Sequence, residues 1–513
     1  MRIFLIIIFI VNASILNAQF TDRFWAFGDS AAIDFSNLSN PIPATSVLRS
    51  RGTCASISDS LGNLLFYASS PLVSLWLTPG SDRLGFVVNK NNIEMEKGDS
   101  IKTALWYQEM TIIPDPANSN KFYLFHVGIT TNTNPGFYYS KIDLNYNGGL
   151  GKVVQKNIQL SNLPFVDEIA AVKHGNGRDW WVIGKNWDVQ VPQNSFFVYL
   201  VDPSGVSGPF IQNIGSITNA NSNRFKFNKD GSTLFQISAF SLLESLDFNR
   251  CTGTFSSPNN FQQNGTNPPT TYWSLAISPD GSKLYTSVIS LIQPYEDSYL
   301  FQYDLNAPNV LASQDTLGHW KYINSVGIIS GMLQLGPDNK IYLSNTYEAP
   351  DCEFFYLYCD TTWLTENTYI SVINSPDSLG AACDFQPYSF YLGGHRCYYG
   401  LPNNPHYELG PDIGSVCDTL TVGINTINAT QPNLQVYYEP AWQKTFINAS
   451  SLKGKNIILE MYDAKGKRIF SEKSTLQSSD YSRSLEMNAY ANGLYIISII
   501  TEKGRVSRKM VKY

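Results

Sequence analysis

Charge is what this sequence has least of. Of its 513 residues only 15% are Asp, Glu, Lys or Arg, against roughly 25% in an ordinary soluble domain. The formal net charge is −6, and the one Lys/Arg-rich stretch is the terminal KGRVSRKMVKY. No basic field exists to hold nucleic acid or an anionic membrane surface. Histidine is scarce too: His126, His174, His319, His395 and His406 are scattered, with no H-x-x-x-H pair and no C-x-x-C. Zinc-ligand spacing is therefore missing. There is no G-x-S-x-G nucleophile elbow and no Gly-rich phosphate loop. No cofactor and no metal site is expected. Beyond the first residues no segment reaches transmembrane length.

What the chain has in quantity is aromatic side chains, at 13%, and turn formers, among them 36 Gly and 26 Pro. Aromatic rings suit a pleated surface, and frequent Gly, Asn, Ser and Pro suit many tight turns. Arg2 followed by the apolar run Ile3–Leu16 and the small Ala18 has the form of a leader removed on export. No Cys follows that run to take a lipid anchor. The seven cysteines are Cys54, Cys251, Cys352, Cys359, Cys383, Cys397 and Cys417. Export permits disulfides, and an odd count leaves at least one thiol unpaired.

One unit recurs. ASISDSLGNLLFYAS, MTIIPDPANSNKFYLFH, AAVKHGNGRDWWVIG, FKFNKDGSTLFQIS, LAISPDGSKLYTSV and LQLGPDNKIYLSN start at Ala55, Met110, Ala170, Phe225, Leu275 and Leu333. Each reads as strand, Asp/Gly/Asn turn, strand. A further hairpin segment usually follows, as in GFYYSKIDLN, SFFVYLVDPSG, YLFQYDLN and FFYLYCD. Four strands per repeat with no helical period predict radial blades. ACDFQPYSFYLGG near Cys383 is a weaker seventh unit. The N-terminal RFWAFGDSAAIDF is expected to complete it and so close the ring. The expected fold is all-β: a seven-bladed β-propeller, with six blades the alternative, followed by a small β-sandwich. The expected organisation is a signal peptide at 1–18, the propeller at 19–405, a linker at 406–430 and the sandwich at 431–513.

The C-terminal unit resembles the type A sorting domain of the Bacteroidetes type IX secretion system. MYDAKGKRIF, NAYANGLYIISI and KGRVSRKMVKY carry the resemblance, while YYEP at Tyr437–Pro440 stands where that family has a YPNP-like run. The resemblance implies passage through the periplasm and outer membrane by the type IX machinery, engaged through residues 431–513, to the cell surface or medium. The repeats are similar to Bacteroidetes surface propellers that precede such tails. This likeness includes SVINSPDSLGAACDFQPYSFYLGG and YGLPN near Tyr399, with GLPNN in place of GLPNF. It implies no general enzymatic activity.

The tempting constellations have structural readings. SPDGSKLY and NKDGSTLF lack the spacing of a sialidase Asp-box and read as hairpin turns. DLNYNGG at Asp143–Gly149 begins like a calcium loop, but its twelfth position is Val154 instead of Glu. His174 in KHGNGRDWW reads as a turn residue. Trp25, Trp76, Trp106, Trp180, Trp181, Trp187, Trp273 and Trp320 serve blade packing or, on one face of the ring, carbohydrate stacking. The adjacent Trp180 and Trp181 must face opposite sides of a strand. D-S/T followed by an apolar residue, at Asp29, Asp59, Asp315, Asp377 and Asp418, resembles a Bacteroidetes O-glycosylation acceptor. Two functions stay open: a non-catalytic module binding a glycan or protein, and a hydrolase with its site at the ring axis. Converging carboxylates at the axis favour the second, and an aromatic or polar face the first.

Overall fold

The computed structural model describes residues 21–70, 84–103, 107–128, 135–187, 193–217, 223–239, 242–261, 271–289, 297–321, 327–348, 364–418, 433–450, 452, 456–463, 467–476, 479–501 and 504–512. The expected leader, FFYLYCD, Cys352, Cys359, Trp76 and Trp106 lie outside these residues. The chain divides after Asp418 into two compact units.

Among the described residues the first unit contains seven sheets. Six open at the repeat cores, with the strands Cys54–Ser58, Met110–Asp115, Phe165–Lys173, Asn223–Phe227, Thr271–Ile277 and Gly327–Leu335. Each of these sheets meanders outward in chain order. The turn chemistry explains the first hairpins. Asp59, Asp230 and Asp280 each accept the backbone N–H two residues on, at 2.8 Å. Gly62, Gly231 and Gly281 follow at φ 89°, 74° and 74°, a conformation that favours glycine. Inner strands are buried on both faces, as in SLAI of Ser274–Ile277, because apolar clusters lie between consecutive sheets. Phe235, Ile237 and Leu243 pack on Tyr272 and Leu275, and Tyr285 and Leu300 pack on Leu333 and Ile341. The last cluster joins Met332 and Tyr342 to Trp25, Ile33, Cys54 and Tyr67, so the series closes on itself.

The closing sheet differs from the expectation. Phe24–Phe27, Asp29–Asp34 and Ile42–Arg49 form a three-stranded sheet, to which the other chain end adds no strand, only the bridge of Arg396 to Asp29 and Ser30. The ACDFQPYSFYLGG segment does not join it. Its strand Phe385–Tyr391 pairs with Tyr369–Ile373 as the outermost strand of the preceding sheet. The physical reason lies in its side chains, which alternate between exposed and half-buried, as suits an outer edge. The ends therefore meet face to face: Trp25 packs edge-on to Tyr342 with ring centroids 5.5 Å apart, and Phe35 does the same.

The segment after the last sheet is a second correction. Residues 406–418 belong to the expected linker at 406–430, yet they pack, with 401–405, within the first unit. Tyr399 N donates to Arg51 O at 3.1 Å, Met332 N to Tyr399 O at 2.9 Å, and Asn403 N to Cys54 O at 2.9 Å. The Asn403 amide nitrogen donates to Ile169 O (2.7 Å) and Gln108 O (3.2 Å), and Thr111 Oγ1 donates to Asn403 O. Gln334 reaches Asn404 O, and the Tyr407 hydroxyl donates to Ile112 O at 2.8 Å. One short strap thus touches the inner strands of four sheets. Being in contact with so many of them places it along the ring axis. It leaves past Gly175 and is fastened by the Cys251–Cys417 disulfide, whose partners are 166 residues apart. Cys54, Cys383 and Cys397 are buried free thiols. Asn404, the departure from GLPNF, is fully engaged: its Oδ1 accepts Ser56 N and its Nδ2 donates to Asp22 at 2.6 Å.

The second unit is a sandwich. One sheet holds Asn433–Glu439, Lys444–Ser450 and Tyr481–Glu486; the other holds Asn456–Asp463, Arg468–Thr475, Gly493–Thr501 and Gly504–Lys512. Period-2 alternation sends Ile457, Leu459 and Met461 inward against Ile497, Ile499 and Leu434.

Candidate functional site

The axis has two unlike ends. At one end the inner strands begin, and they carry Gln108 and Glu109, Asp167 and Glu168, Arg224, and Trp273. Gln108 N donates to Asp167 O and Ile169 N to Gln108 O, so two neighbouring sheets are stitched together here. Arg224 is 1% exposed and grips Asp167 with both terminal nitrogens, at 2.5 and 3.0 Å. Its Nε lies 3.8 Å from Glu168. Such a two-pronged pair fixes the plane of the guanidinium. Burial opposes the Arg224 charge, but Asp167 and Glu168 hold it above its ordinary pKa.

Glu168 is fully buried. Burial pushes its carboxyl well above the usual range, with Arg224 and Lys226 pulling the other way and Asp167 adding to the rise. The Gln108 amide, turned so that its nitrogen faces Glu168, donates to both carboxyl oxygens at 2.8 and 3.0 Å. Lys226, behind it, is brought down to about 8 by burial. Glu109 is held by Thr53 Oγ1 (3.1 Å) and Thr103 Oγ1 (3.0 Å).

Above these groups stands an aromatic cluster. Tyr107 meets Trp273 edge-on at 4.6 Å, Tyr107 meets Tyr399 at 5.7 Å, and Trp273 lies 5.5 Å from Tyr399. The Arg51 guanidinium sits over Tyr107 and Tyr399 at 5.3 and 5.4 Å and donates to the Tyr107 hydroxyl at 3.0 Å. Arg224 approaches the same rings from below, 4.9 Å from Tyr107. Arg51 and Trp273 are partly exposed, whereas Tyr107, Tyr399, Asp167, Glu168 and Arg224 are buried. This mouth therefore presents a cation and an indole over a neutralised carboxylate layer.

The opposite end is a cavity of about 670 Å³ between hairpin tips and the strap, lined by Asp22, Lys229, Asp230, Asp280, His406 and Glu408 among others. Asp22 is brought up to about 7 by burial, with Glu408 adding to the rise and the Asn404 and Trp25 N–H donors opposing it.

Of the described tryptophans singled out in the sequence, Trp273 belongs to the mouth. Trp180 and Trp181 are both buried, on opposite faces and in different apolar clusters. Trp25 and Trp320 are packing residues. His174 is a turn residue: its ring accepts Asn176 N and contacts Cys251 O and Trp181. Asp143 accepts Asn145 N at 2.9 Å and pairs with Lys121, as a hairpin tip. Among the described residues no group of three His, Cys, Asp or Glu side chains is placed to hold a metal ion. Ser60 and Thr316 of the D-S/T motifs are exposed, while Thr419 and Leu420 lie outside the described residues. Sequence reasoning missed Arg51, Tyr107, Arg224 and Tyr399. Arg51, Tyr107 and Arg224 lie just before repeat cores and Tyr399 in the strap, and only ring closure brings them together.

Residues 435–513 match the secretion system C-terminal sorting domain. That tail belongs to type IX secretion and implies a Bacteroidetes source; it marks a secreted or cell-surface protein. No curated protein is similar to the chain in sequence. Solved structures similar in shape include a periplasmic gluconolactonase of Pseudomonas aeruginosa, 9% identical, covering 64% of this chain and 92% of that one, TM-score 0.40. A quinonprotein alcohol dehydrogenase-like protein of Bacteroides thetaiotaomicron is 12% identical over 75% of this chain and 77% of that one, TM-score 0.33. The β-propeller domain of Myceliophteria thermophila Cps50 is 10% identical over 79% and 96%, TM-score 0.28. None of these likenesses bears on activity or ligand. Among the described residues no helix is long and apolar enough to cross a membrane.

Proposed function

Taking the sorting tail at residues 435–513 as premise, we propose that the chain is an exported binding module that holds a glycan or protein ligand at the mouth formed by Arg51, Tyr107, Trp273 and Tyr399. Residues 1–18 are its leader, and the propeller is the cargo the tail delivers. The observation that carries binding over catalysis is the state of the carboxylates. Asp167 is locked by Arg224, and Glu168 lies beneath buried rings with Gln108 on both oxygens. A general acid or base must instead reach the proton it moves, at hydrogen-bond distance. The partly exposed groups are Arg51 and Trp273, which bind by stacking, cation–π contact and hydrogen bonding. The test is an array of glycans and surface proteins probed with the purified protein, followed by Arg51→Gln and Trp273→Ala. Both substitutions are expected to abolish whatever binding is found, while thermal melts stay within a few degrees.

A second reading rests on Glu168 alone, whose raised pKa at a ring axis is the kind of perturbation that active sites use. In that reading the protein is a hydrolase and Glu168 its general acid. Turnover of an ester, glycoside, peptide or lactone panel that Glu168→Gln abolishes, with the fold intact, selects it.

A further inference from the structure

We infer that the cavity at the strap end is a second binding site, one that takes an organic cation, a primary amine or a guanidinium; it lies apart from the mouth and does not rest on the reading of the mouth. At about 670 Å³ the cavity falls within the range of about 300–1,000 Å³ usual for small-ligand sites. Its walls come from three hairpin tips, at 228–230, 279–281 and 336–339, from the strap at 405–410, and from Asp22. The rim is exposed at Asp230, Asp280 and Glu408, while Asp22 and His406 are half-buried and Tyr407 is buried.

The charge of this cavity is one-sided. Among the described residues the carboxyl groups of Asp22, Asp230, Asp280 and Glu408 line it against one lysine, Lys229. His406 adds no charge, because burial and the nearby Lys229 and Lys226 bring it down to about 4. Asp280 is taken up by its own turn, where it accepts Ser282 N at 2.8 Å and Ser278 Oγ at 2.7 Å. Two of the others keep capacity. Asp22 Oδ1 accepts both Trp25 Nε1 (2.8 Å) and Asn404 Nδ2 (2.6 Å), and among the described residues nothing donates to its Oδ2. The Glu408 carboxylate accepts no hydrogen bond and forms no ion pair there. Lys229 is turned to Asn339 Oδ1 at 2.6 Å, and Arg23 donates to Phe35 O at 3.0 Å. Burial therefore raises both acids: the Asn404 and Trp25 donors only partly oppose it at Asp22, and Arg23, Lys229 and Lys173 only partly at Glu408. A carboxylate taken from water asks for a counter-charge, and here the protein leaves that place to a ligand.

The arrangement selects an organic cation over a metal ion. Among the described residues no three acids or histidines are close enough together to hold a metal. The carboxyls instead stand on separate walls, with Pro279, Leu335, Pro337 and Leu409 between them. An ammonium or guanidinium on a methylene stem matches both features. Its head makes charge-assisted hydrogen bonds to a carboxylate, and its stem lies along apolar wall.

The test is calorimetric titration of the full-length protein, at about 0.15 M salt so that distant surface charges are screened, with spermidine, trilysine, argininamide, hexanediol, glutarate and calcium ion. At least one of the three organic cations is expected to bind, and hexanediol and glutarate are not. A preference for spermidine or for trilysine supports the site either way, and tells a free polyamine from a basic peptide segment. Glu408→Gln, at an exposed position without a partner to lose, is expected to weaken binding about tenfold. Asp22→Asn, which keeps the oxygen that Trp25 and Asn404 use, is expected to weaken it similarly. Glu486→Gln, which removes the same charge from the second unit, and Arg51→Gln at the mouth are expected to leave it unchanged. Melting curves establish that each variant is folded. Tighter binding of calcium than of any amine overturns the organic class. Equal weakening by Glu408→Gln and Glu486→Gln reduces the effect to general surface charge, loss in Arg51→Gln moves the ligand to the mouth, and binding of no cation leaves no site; each overturns the inference while the reading of the mouth stands on its own test.

Discussion

Arg396 Nε lies 3.0 Å from Asp29 Oδ2, and Asp29 N donates to Arg396 O, so the first sheet is tied to the chain that follows the last one. Arg396 is 2% exposed. Removing Arg396 leaves Asp29 with only the exposed Arg49, whose Nε is 3.6 Å away, at a cost of up to about 3 kcal/mol. Arg396→Gln is therefore expected to lower the urea midpoint of the propeller, followed by tryptophan fluorescence. An unchanged midpoint would show that packing of Trp25 and Phe35 on Tyr342 closes the ring unaided.

The Cys251–Cys417 bond closes a loop of 166 residues. On chain-entropy grounds a loop that long stabilises by about 5 kcal/mol, a figure that native contacts in the unfolded chain reduce. The double variant Cys251→Ser, Cys417→Ser is expected to melt lower and to expose residues 405–418 to protease first. Equal melting and equal protection would mean that the strap holds without its fastening.

At Gly400 a Cβ would stand 1.9 Å from Gly52 O, closer than any side chain tolerates. At Gly410 nothing lies within 4 Å of the same atom. Gly400→Ala is expected to unseat the strap and destabilise the propeller strongly, and Gly410→Ala to be nearly silent. Differential scanning calorimetry of the two separates local crowding from a general glycine effect.

Asp22 ties the strap to the N-terminal sheet and has its pKa raised from 3.8 to about 7. The sign follows from proton counting. Between those two values the folded chain binds more protons at this group than the unfolded chain, so its contribution falls as pH rises from about 4 to 7 and is flat above. Asp22→Asn is expected to remove this downward slope. The check is urea denaturation at pH 4.5, 6 and 7.5 for both proteins. The same slope in the variant would assign it to another group.

Deletion of residues 435–513 is expected to leave the propeller in the periplasm. Cell fractionation with an antibody to the propeller measures this. Undiminished appearance in the medium would separate the tail from export in this chain.

The repeats were legible because each blade is written locally. Alternation, an Asp that caps its own turn and a glycine at positive φ are all contained within fifteen residues, as in LAISPDGSKLYTSV. The sandwich was legible for the same reason, since the inward set Ile457, Leu459, Met461 is set by period 2 alone. Trp180 and Trp181 also behaved as a strand requires, one in each of two cores.

What the local code does not contain is which groups meet at the axis. Arg51, Tyr107, Arg224, Trp273 and Tyr399 come from five separate parts of the chain, and none has a local partner that signals a site. Nor does a stretch such as LPNNPHYELG carry any periodicity, because its hydrogen bonds go to inner strands as distant in sequence as Cys54 and Ser56. That is why its residues 406–410 read as linker from the sequence. The sequence by itself determined the blades, the sandwich and the sorting tail, each stabilised by contacts between near neighbours. Only the tertiary structure decided the strap, the Cys251–Cys417 fastening and the mouth, because all three exist through long-range contacts made when the ring closes.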